Sequence, residues 1–313
     1  MRYHDFESML EKAKSLGRAR VAVAAAADQE ILEAVKLARL EGLVEPILVG
    51  DVERIRHLAT KISLDLRGLE VVHEPDPIRA VHAAVDAVVD GRAQFLMKGL
   101  VNSSDFLRGV LRSERGLRTG KLLSHLGAFQ VPGYSRLLFI TDGGMNIAPD
   151  LSQKKEILLS SLNYLQNIGM ETVNVAVLSA NEVPNPKMLG TMDAMALAQM
   201  NQAGEFSGAT VEGPLALDCA ISAAALKHKG IVSKINGDTD LFLVPTIEVG
   251  NVFGKSLVYF AGASMAGIVL GAQVPIVLTS RNDPPRSKLM ALAMAALNRS
   301  AKAIYNVQDK RCS

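Results

Sequence analysis

The chain has 313 residues, room for about two domains at ~150 residues each. Apolar residues make up 49% and charged residues 21%, an ordinary globular balance that excludes a disordered, collagen-like or low-complexity chain. The 34 basic and 32 acidic residues leave a net charge of +2, and aromatic residues are 4% without a tryptophan. A general nucleic-acid binder would need a basic face and stacking platforms, and this composition supplies neither.

Short apolar runs alternate with amphipathic stretches along most of the chain. Residues 20–24 read as a strand and Gln29 to Leu40 as the helix after it. Residues 46–49 form a second strand, with Gly50-Asp51 opening the next helix, and residues 69–72 form a third. Apolar residues at 78, 81, 85, 88 and 89 have helical spacing, and residues 94–97 form a fourth strand. Further strands are expected at 122–129, 137–140, 173–178, 209–211, 241–244 and 274–278. This rhythm predicts right-handed crossovers between parallel strands, hence the α/β class. The strands are apolar on both faces, as strands covered by helices on each side should be. Pro132-Gly133 suggests a division near residue 135. In open α/β sheets ligands bind beyond the carboxyl ends of strands, so the residues just after each strand are the candidates for chemistry.

Several motifs are excluded first. Cys219 and Cys312 have no C-x-x-C partners, and the six histidines show no ligand spacing, so no metal site is expected. Residues 1–7 lack the basic-then-apolar order of a signal peptide, and a reduced cytoplasmic protein is the expectation. Leu257 to Leu278 carries no charge and is long enough for a membrane span, but Gly262, Gly267, Gly271, Gln273 and Pro275 interrupt it. A buried helix followed by a buried strand is expected there. Gly250-Asn-Val-Phe-Gly254-Lys255-Ser256 follows a strand and resembles a Walker A loop, but only three residues separate its glycines where that loop needs four. If this stretch opens a helix, Asn251 and Lys255 could still hold an anion at the helix N-terminus. There is no G-x-G-x-x-G, no H-E-x-x-H and no complete G-x-S-x-G.

Three stretches carry more. Lys98 and Gly99 sit at the carboxyl end of the fourth strand, and Asn102 to Asp105 offers helix caps. With Lys98 and Arg108, backbone donors of Asn102 and Ser103 would suit a phosphate. Ser280, Arg281 and Asp283 follow the last strand, ahead of a helix begun by Pro284-Pro285 and expected to run to about Tyr305. Glu212-Gly-Pro214-Leu-Ala-Leu-Asp218 reads as a helix start, with Pro214 in the first turn and Asp218 where negative charge is favoured.

At these positions the sequence resembles the phosphate acetyl/butyryltransferase family, most closely its phosphate butyryltransferase branch. The resemblance rests on residues 98–108, Gly116 to Gly120, Ser124-His125, Thr141-Asp142, Asn146 to Pro149, Asn185 to Met188, Gly213 to Asp218, Gly250-Asn251 and Ser280-Arg281. It is dense from about residue 93 to 290 and thin before that. It implies an acyltransferase that interconverts a short-chain acyl-CoA, butyryl or a branched analogue, plus phosphate with acyl phosphate plus CoA. It implies no cofactor beyond coenzyme A and phosphate as substrates, no metal, and a homodimer or larger homo-oligomer. The implied fold has two α/β domains with a cleft between them, isocitrate/isopropylmalate dehydrogenase-like, with residues 1–135 plus 280–313 in the first domain and 136–279 in the second. The resemblance makes Ser280 and Arg281 the signature pair and Arg108 the helix arginine, with the pair at the hinge. Acetyl-specific relatives place a base seven positions after the signature serine. Here that position is Ser287, which leaves Asp283 as the candidate base. Lys98, Asn102, Ser103, Asn251 and Lys255 complete the substrate-binding set. The alternatives are a phosphate acetyltransferase, a metal- and NAD-dependent dehydrogenase on the same fold, and a non-catalytic acyl-CoA-binding protein.

Overall fold

The structure is a computed structural model that describes residues 2–280 and 283–298. Its contacts separate two compact units: a flanking unit of residues 6–121 and 266 onward, and a middle unit of the N-terminal residues to 5 with 122–265. The chain thus crosses between units at 5–6, 121–122 and 265–266, where the sequence reading set two joints, at 135–136 and 279–280.

The flanking unit begins with α1 (Phe6–Ser15), β1 (Ala19–Ala24), α2 (Gln29–Leu40), β2 (Val44–Gly50), α3 (Val52–Lys61), β3 (Glu70–His73), α4 (Pro77–Val89), β4 (Phe95–Lys98) and α5 (Ser103–Val110). Four of these helices start on an Asp or Asn whose side chain accepts a first-turn N–H. Asp28 opens α2, Asp51 opens α3, Asp76 opens α4 and Asn102 opens α5. Such caps satisfy donors that have no partner inside the helix.

The middle unit follows with β5 (Ser124–Gln130), β6 (Leu138–Thr141), α6 (Leu151–Asn167), β7 (Val173–Leu178), α7 (Leu189–Gln202), β8 (Ala209–Leu215), α8 (Leu217–Ile221), α9 (Ala223–Lys229), β9 (Leu241–Leu243) and α10 (Ile247–Ala261). The chain then returns to the flanking unit through β10 (Ser264–Leu270), β11 (Ile276–Val277) and α11 (Pro285–Leu297).

The flanking unit's strands lie in the order β3-β2-β1-β4-β11-β10 and the middle unit's in the order β5-β6-β9-β7-β8. Most neighbours are parallel, but β5 with β6 and β10 with β11 are antiparallel. The expectation of parallel strands throughout fails at these two places because the connections, 131–137 and 271–275, are too short for a crossover. Lys288 to Leu297 are all buried, with α11 packed on α1, α2 and β11. Each fully buried Leu or Met there contributes about 1.5–3 kcal/mol.

Three further expectations change. The uncharged window resolves into the end of α10, a left-handed turn at Gly262 and two short strands, and no described helix is long and apolar enough to cross a membrane. Pro214 lies next to the last residue of β8 rather than starting a helix. That strand lies at one end of its unit's strand order, where a missing N–H is tolerated. Residues 250–256 lie inside α10, which opens at Ile247, so the glycines line no loop. Their spacing instead puts two side-chain-free positions on one helix face. A Cβ on Gly250 would come within 2.6 Å of Gly143 Cα and 2.8 Å of Val244 Cγ2, and one on Gly254 within 2.9 Å of Phe129. The last residues of the helix expected to reach Tyr305 lie outside the described residues.

Gly250→Ala should therefore destabilise the protein by about 1–3 kcal/mol, since backbone cannot yield as a flexible side chain can. Lys255→Ala on the exposed side of the same helix should change stability by no more than about 0.5 kcal/mol. Urea unfolding of both variants checks this, and equal stabilities would remove the close approach as the reason for the glycine.

Candidate active site

In the flanking unit β1, β4 and β11 end level with one another. Ala24 pairs with Lys98 across β1 and β4, and Met97 pairs with Val277 across β4 and β11. Beyond that edge β4 turns sharply. The Gly99 N–H donates to Ala24 O and the Leu100 N–H to Ala25 O, each at 2.8 Å. A Cβ on Gly99 would stand 2.3 Å from Ala25 O and 2.5 Å from Ala24 O. Only glycine fits, and the turn folds Lys98 inward. Its side chain is buried, with Nζ donating to Val101 O at 3.0 Å and Gly99 O at 3.3 Å.

Ser280 stands exposed at the exit of β11. Its N–H donates to Asp283 Oδ2 at 2.7 Å, and the Asp283 N–H returns to Ser280 O at 3.3 Å. Asp283 thus closes the turn that carries Ser280 and does not cap α11, which has no side-chain cap. Lys288, in the first turns of α11, is buried at 1% exposure. Its Nζ donates to Glu30 Oε2 at 3.0 Å and also to Asp283 O. Lys98, Gly99, Leu100, Thr279, Ser280 and Lys288 line one small pocket with Asp28, Glu30 and Ile31 of α2's start. Sequence reasoning missed Thr279, Lys288 and Glu30. A signal for Lys288 was present, since the apolar run after it marks a helix buried on every side.

The other candidates are arranged less tightly. Asn102 Oδ1 accepts the Asp105 N–H and the Ser104 hydroxyl, each at 2.8 Å, and its amide donates to Asp105. Arg108 is exposed and paired with Asp105. Ser103 is exposed at the start of α5. Arg108 and Ser280 belong to the same unit. Asn251 and Lys255 are exposed on α10 of the middle unit, within a helix whose backbone donors are already used, so the anion-binding N-terminus expected there does not form. Arg281 lies outside the described residues.

Two conspicuous clusters in the middle unit have structural partners. Asp142 is buried after β6. Its Oδ1 accepts the N–H groups of Gly144 and Met145 at 2.9 Å, and its Oδ2 accepts the Asn146 amide at 2.6 Å. It therefore organises the loop that carries Gly143 against Gly250. Glu182, Asp218 and Cys219 bring three possible ligand atoms within 4.8 Å. Lys229 Nζ already sits 2.8 Å from Glu182 and 2.9 Å from Asp218 and supplies their positive charge. Burial, with a hydrogen bond to Glu182, pushes the Cys219 thiol up to about 11, which keeps it protonated at neutral pH.

Residues 5–80 and 77–296 match the family model described as phosphate acetyl/butaryl transferase. The chain belongs to this family. It is 44% identical to the phosphate butyryltransferase of Clostridium acetobutylicum over 93% of this chain and 97% of that protein. A branched-chain phosphotransacylase from Enterococcus faecalis V583 superposes with a TM-score of 0.79 at 34% identity, covering 90% of this chain and 99% of that one. A 4-hydroxythreonine-4-phosphate dehydrogenase from Burkholderia phymatum shares the fold alone, with a TM-score of 0.52 at 12% identity over 91% and 98% of the two chains.

Gly99→Ala tests whether the close turn sets the site in this family member. The substitution should cost about 1–3 kcal/mol of stability and displace Lys98. Turnover should fall by well over tenfold under conditions where the variant is still folded. Full activity in a folded Gly99→Ala protein would show that the turn does not set the site.

Proposed function

We propose that the protein converts a short-chain acyl-CoA, butyryl or a branched analogue, and inorganic phosphate to acyl phosphate and CoA, and the reverse. The observation that carries this reading is the edge where Lys98 and Ser280 meet in one pocket, in a chain that belongs to the acyl–phosphate transferase family. A phosphate oxygen attacks the thioester carbonyl, a C–O bond forms, and the C–S bond breaks. Ser280 donates a hydrogen bond to the carbonyl oxygen as it gains charge. Arg281 and Arg108 hold the phosphate by planar contacts. Asp283 relays the proton lost by phosphate to the departing thiolate through the carboxylate oxygen that does not hold the Ser280 N–H. Asn102 and Ser103 extend the phosphate side, and Asn251 and Lys255 serve either the phosphate or the CoA diphosphate. Alignment of two bound reactants can by itself supply about 7–11 kcal/mol.

The proposal includes transfer without metal or further cofactor, a cytoplasmic setting, and the two-domain dehydrogenase-like arrangement that the resemblance implies. It also includes a homodimer. On α10, Val249, Val252, Tyr259 and Phe260 are exposed, Phe260 at 90%. A second copy of the chain is the occupant we assign to this face. Sedimentation should give a dimer that Phe260→Glu weakens, and a monomeric wild type would remove the assignment.

The deciding assay mixes butyryl-CoA, phosphate and a thiol reagent and follows CoA release. Release should require phosphate and persist in EDTA. NAD reduction with a hydroxy acid would favour the dehydrogenase alternative, and binding without turnover a sensor. Acetyl-CoA preferred over butyryl-CoA would favour a phosphate acetyltransferase. In the same assay Arg281→Lys should lose about tenfold to a hundredfold in kcat/KM with phosphate as the varied substrate, while the KM for acyl-CoA stays put.

A further inference from the structure

Thr279 is 8% exposed, and its hydroxyl finds no hydrogen-bond partner among the described residues. A buried hydroxyl left unsatisfied costs stability, and native proteins seldom keep one without a use. This one lines the pocket at the end of β11, and two buried lysines line it too, Lys98 at 6% and Lys288 at 1% exposure. The pocket's two carboxylates are differently placed. Asp28 spends an oxygen on the Ile31 N–H at 3.1 Å as the cap of α2. The Glu30 side chain is 54% exposed and stands at the rim, paired with Lys288. The interior therefore carries two lysine Nζ groups, each already held by protein partners, and one hydroxyl with no partner among the described residues. Its free volume is ≈ 10 Å³, about the space of one water molecule or one oxygen atom.

We propose that Thr279 is a substrate-binding residue, and that one oxygen of the tetrahedral phosphate, or of the phosphoryl group of the acyl phosphate, seats in this pocket. The Thr279 hydroxyl donates to that oxygen, and the ammonium groups of Lys98 and Lys288 supply the compensating charge. The remaining phosphate oxygens lie outside the pocket beside Ser280, where one is free to attack the thioester. Lys288 also holds Asp283 O, so an anion drawn to its ammonium acts on the turn that presents Ser280. A substrate oxygen seated there satisfies the Thr279 hydroxyl. The assignment rests on the acyl–phosphate transfer reading for the identity of the oxyanion. The pocket itself is built by this chain's own residues.

A substrate-binding Thr279 and a packing Thr279 differ in what Thr279→Val does. The substitution keeps the shape of the side chain and removes only the hydroxyl. Because that hydroxyl has no partner among the described residues, the melting temperature should stay level or rise. The KM for phosphate should increase about tenfold to a hundredfold, the loss expected for a hydrogen bond to a charged group. The KM for acyl-CoA should move less than twofold, and Thr279→Ser, which keeps the hydroxyl, should retain the phosphate KM of the wild type. An unchanged phosphate KM in Thr279→Val overturns the proposal. So does a lowered melting temperature with both substrates weakened alike, which is the behaviour of a packing residue. If the wild type releases no CoA in the presence of phosphate, the transfer reading fails, and the pocket is then judged by thermal melts in inorganic phosphate. Phosphate that raises the wild-type melting temperature and leaves Thr279→Val unmoved supports the site. The same response in both proteins, or none in either, refutes it.

Discussion

The turn after β4 lies closer to the exit of β1 than any side chain would allow. Gly99 meets the carbonyls of Ala24 and Ala25 where a Cβ would overlap both. Two backbone hydrogen bonds fix that approach, and neither can form if the chain is pushed away. Because the turn is so tight, Lys98 cannot lie along the surface as an ordinary strand-end lysine does. Its stem is folded under the loop and its ammonium is held by loop carbonyls. Residues 99–102 then lead directly into the cap of α5. The neighbouring strand β11 ends at the same level and delivers Thr279 and Ser280 to the same edge. A contact of a few ångströms between two backbones thus sets where the charged groups of the site stand.

The opposite wall comes from residues far away in sequence. Lys288 opens the buried apolar run of α11, and Glu30 of α2 and the Asp283 carbonyl accept hydrogen bonds from its Nζ. Removing a charge from water is costly unless it is paired and hydrogen-bonded. The arrangement fits a group kept for chemistry more readily than one kept for stability, since a buried ion pair contributes little net stability over apolar packing. The middle unit uses the same device of side-chain-free contact, with Gly143 on Gly250, but there the contact fixes a helix and no charged group is placed by it.

The positions of most strands were legible in the sequence because each is a short apolar run bounded by helix caps. Parallel pairing was legible only where a helix intervened. The runs around Phe129 and Leu138 look like any others, and only the short connection between them makes the pair antiparallel. Gly250 and Gly254 misled for a related reason. In a sequence, glycines suggest a turn, whereas here they are the face of a helix that must lie on Gly143 and Phe129, and that contact is visible only in three dimensions. Lys98 and Ser280 could be read as site candidates because they follow strands in an α/β sheet. Lys288 shows in the sequence only as the polar start of an apolar run, and its partner Glu30 lies 258 positions away. The resemblance to the family pointed to Ser280 and Arg281 but was silent about the wall of the pocket that Ser280 borders.

The central claim is that this chain joins phosphate to an acyl group at the carboxyl edge of the flanking unit's sheet. Phosphorus NMR of butyryl-CoA, inorganic phosphate and the purified protein tests it most directly, because it observes the new acyl–phosphate bond. The account predicts that the inorganic phosphate signal declines as an acyl phosphate signal grows, one for each CoA set free, and that adding CoA to the product reverses both. Release of CoA with the phosphate signal unchanged would mean that water accepts the acyl group, and would contradict the account.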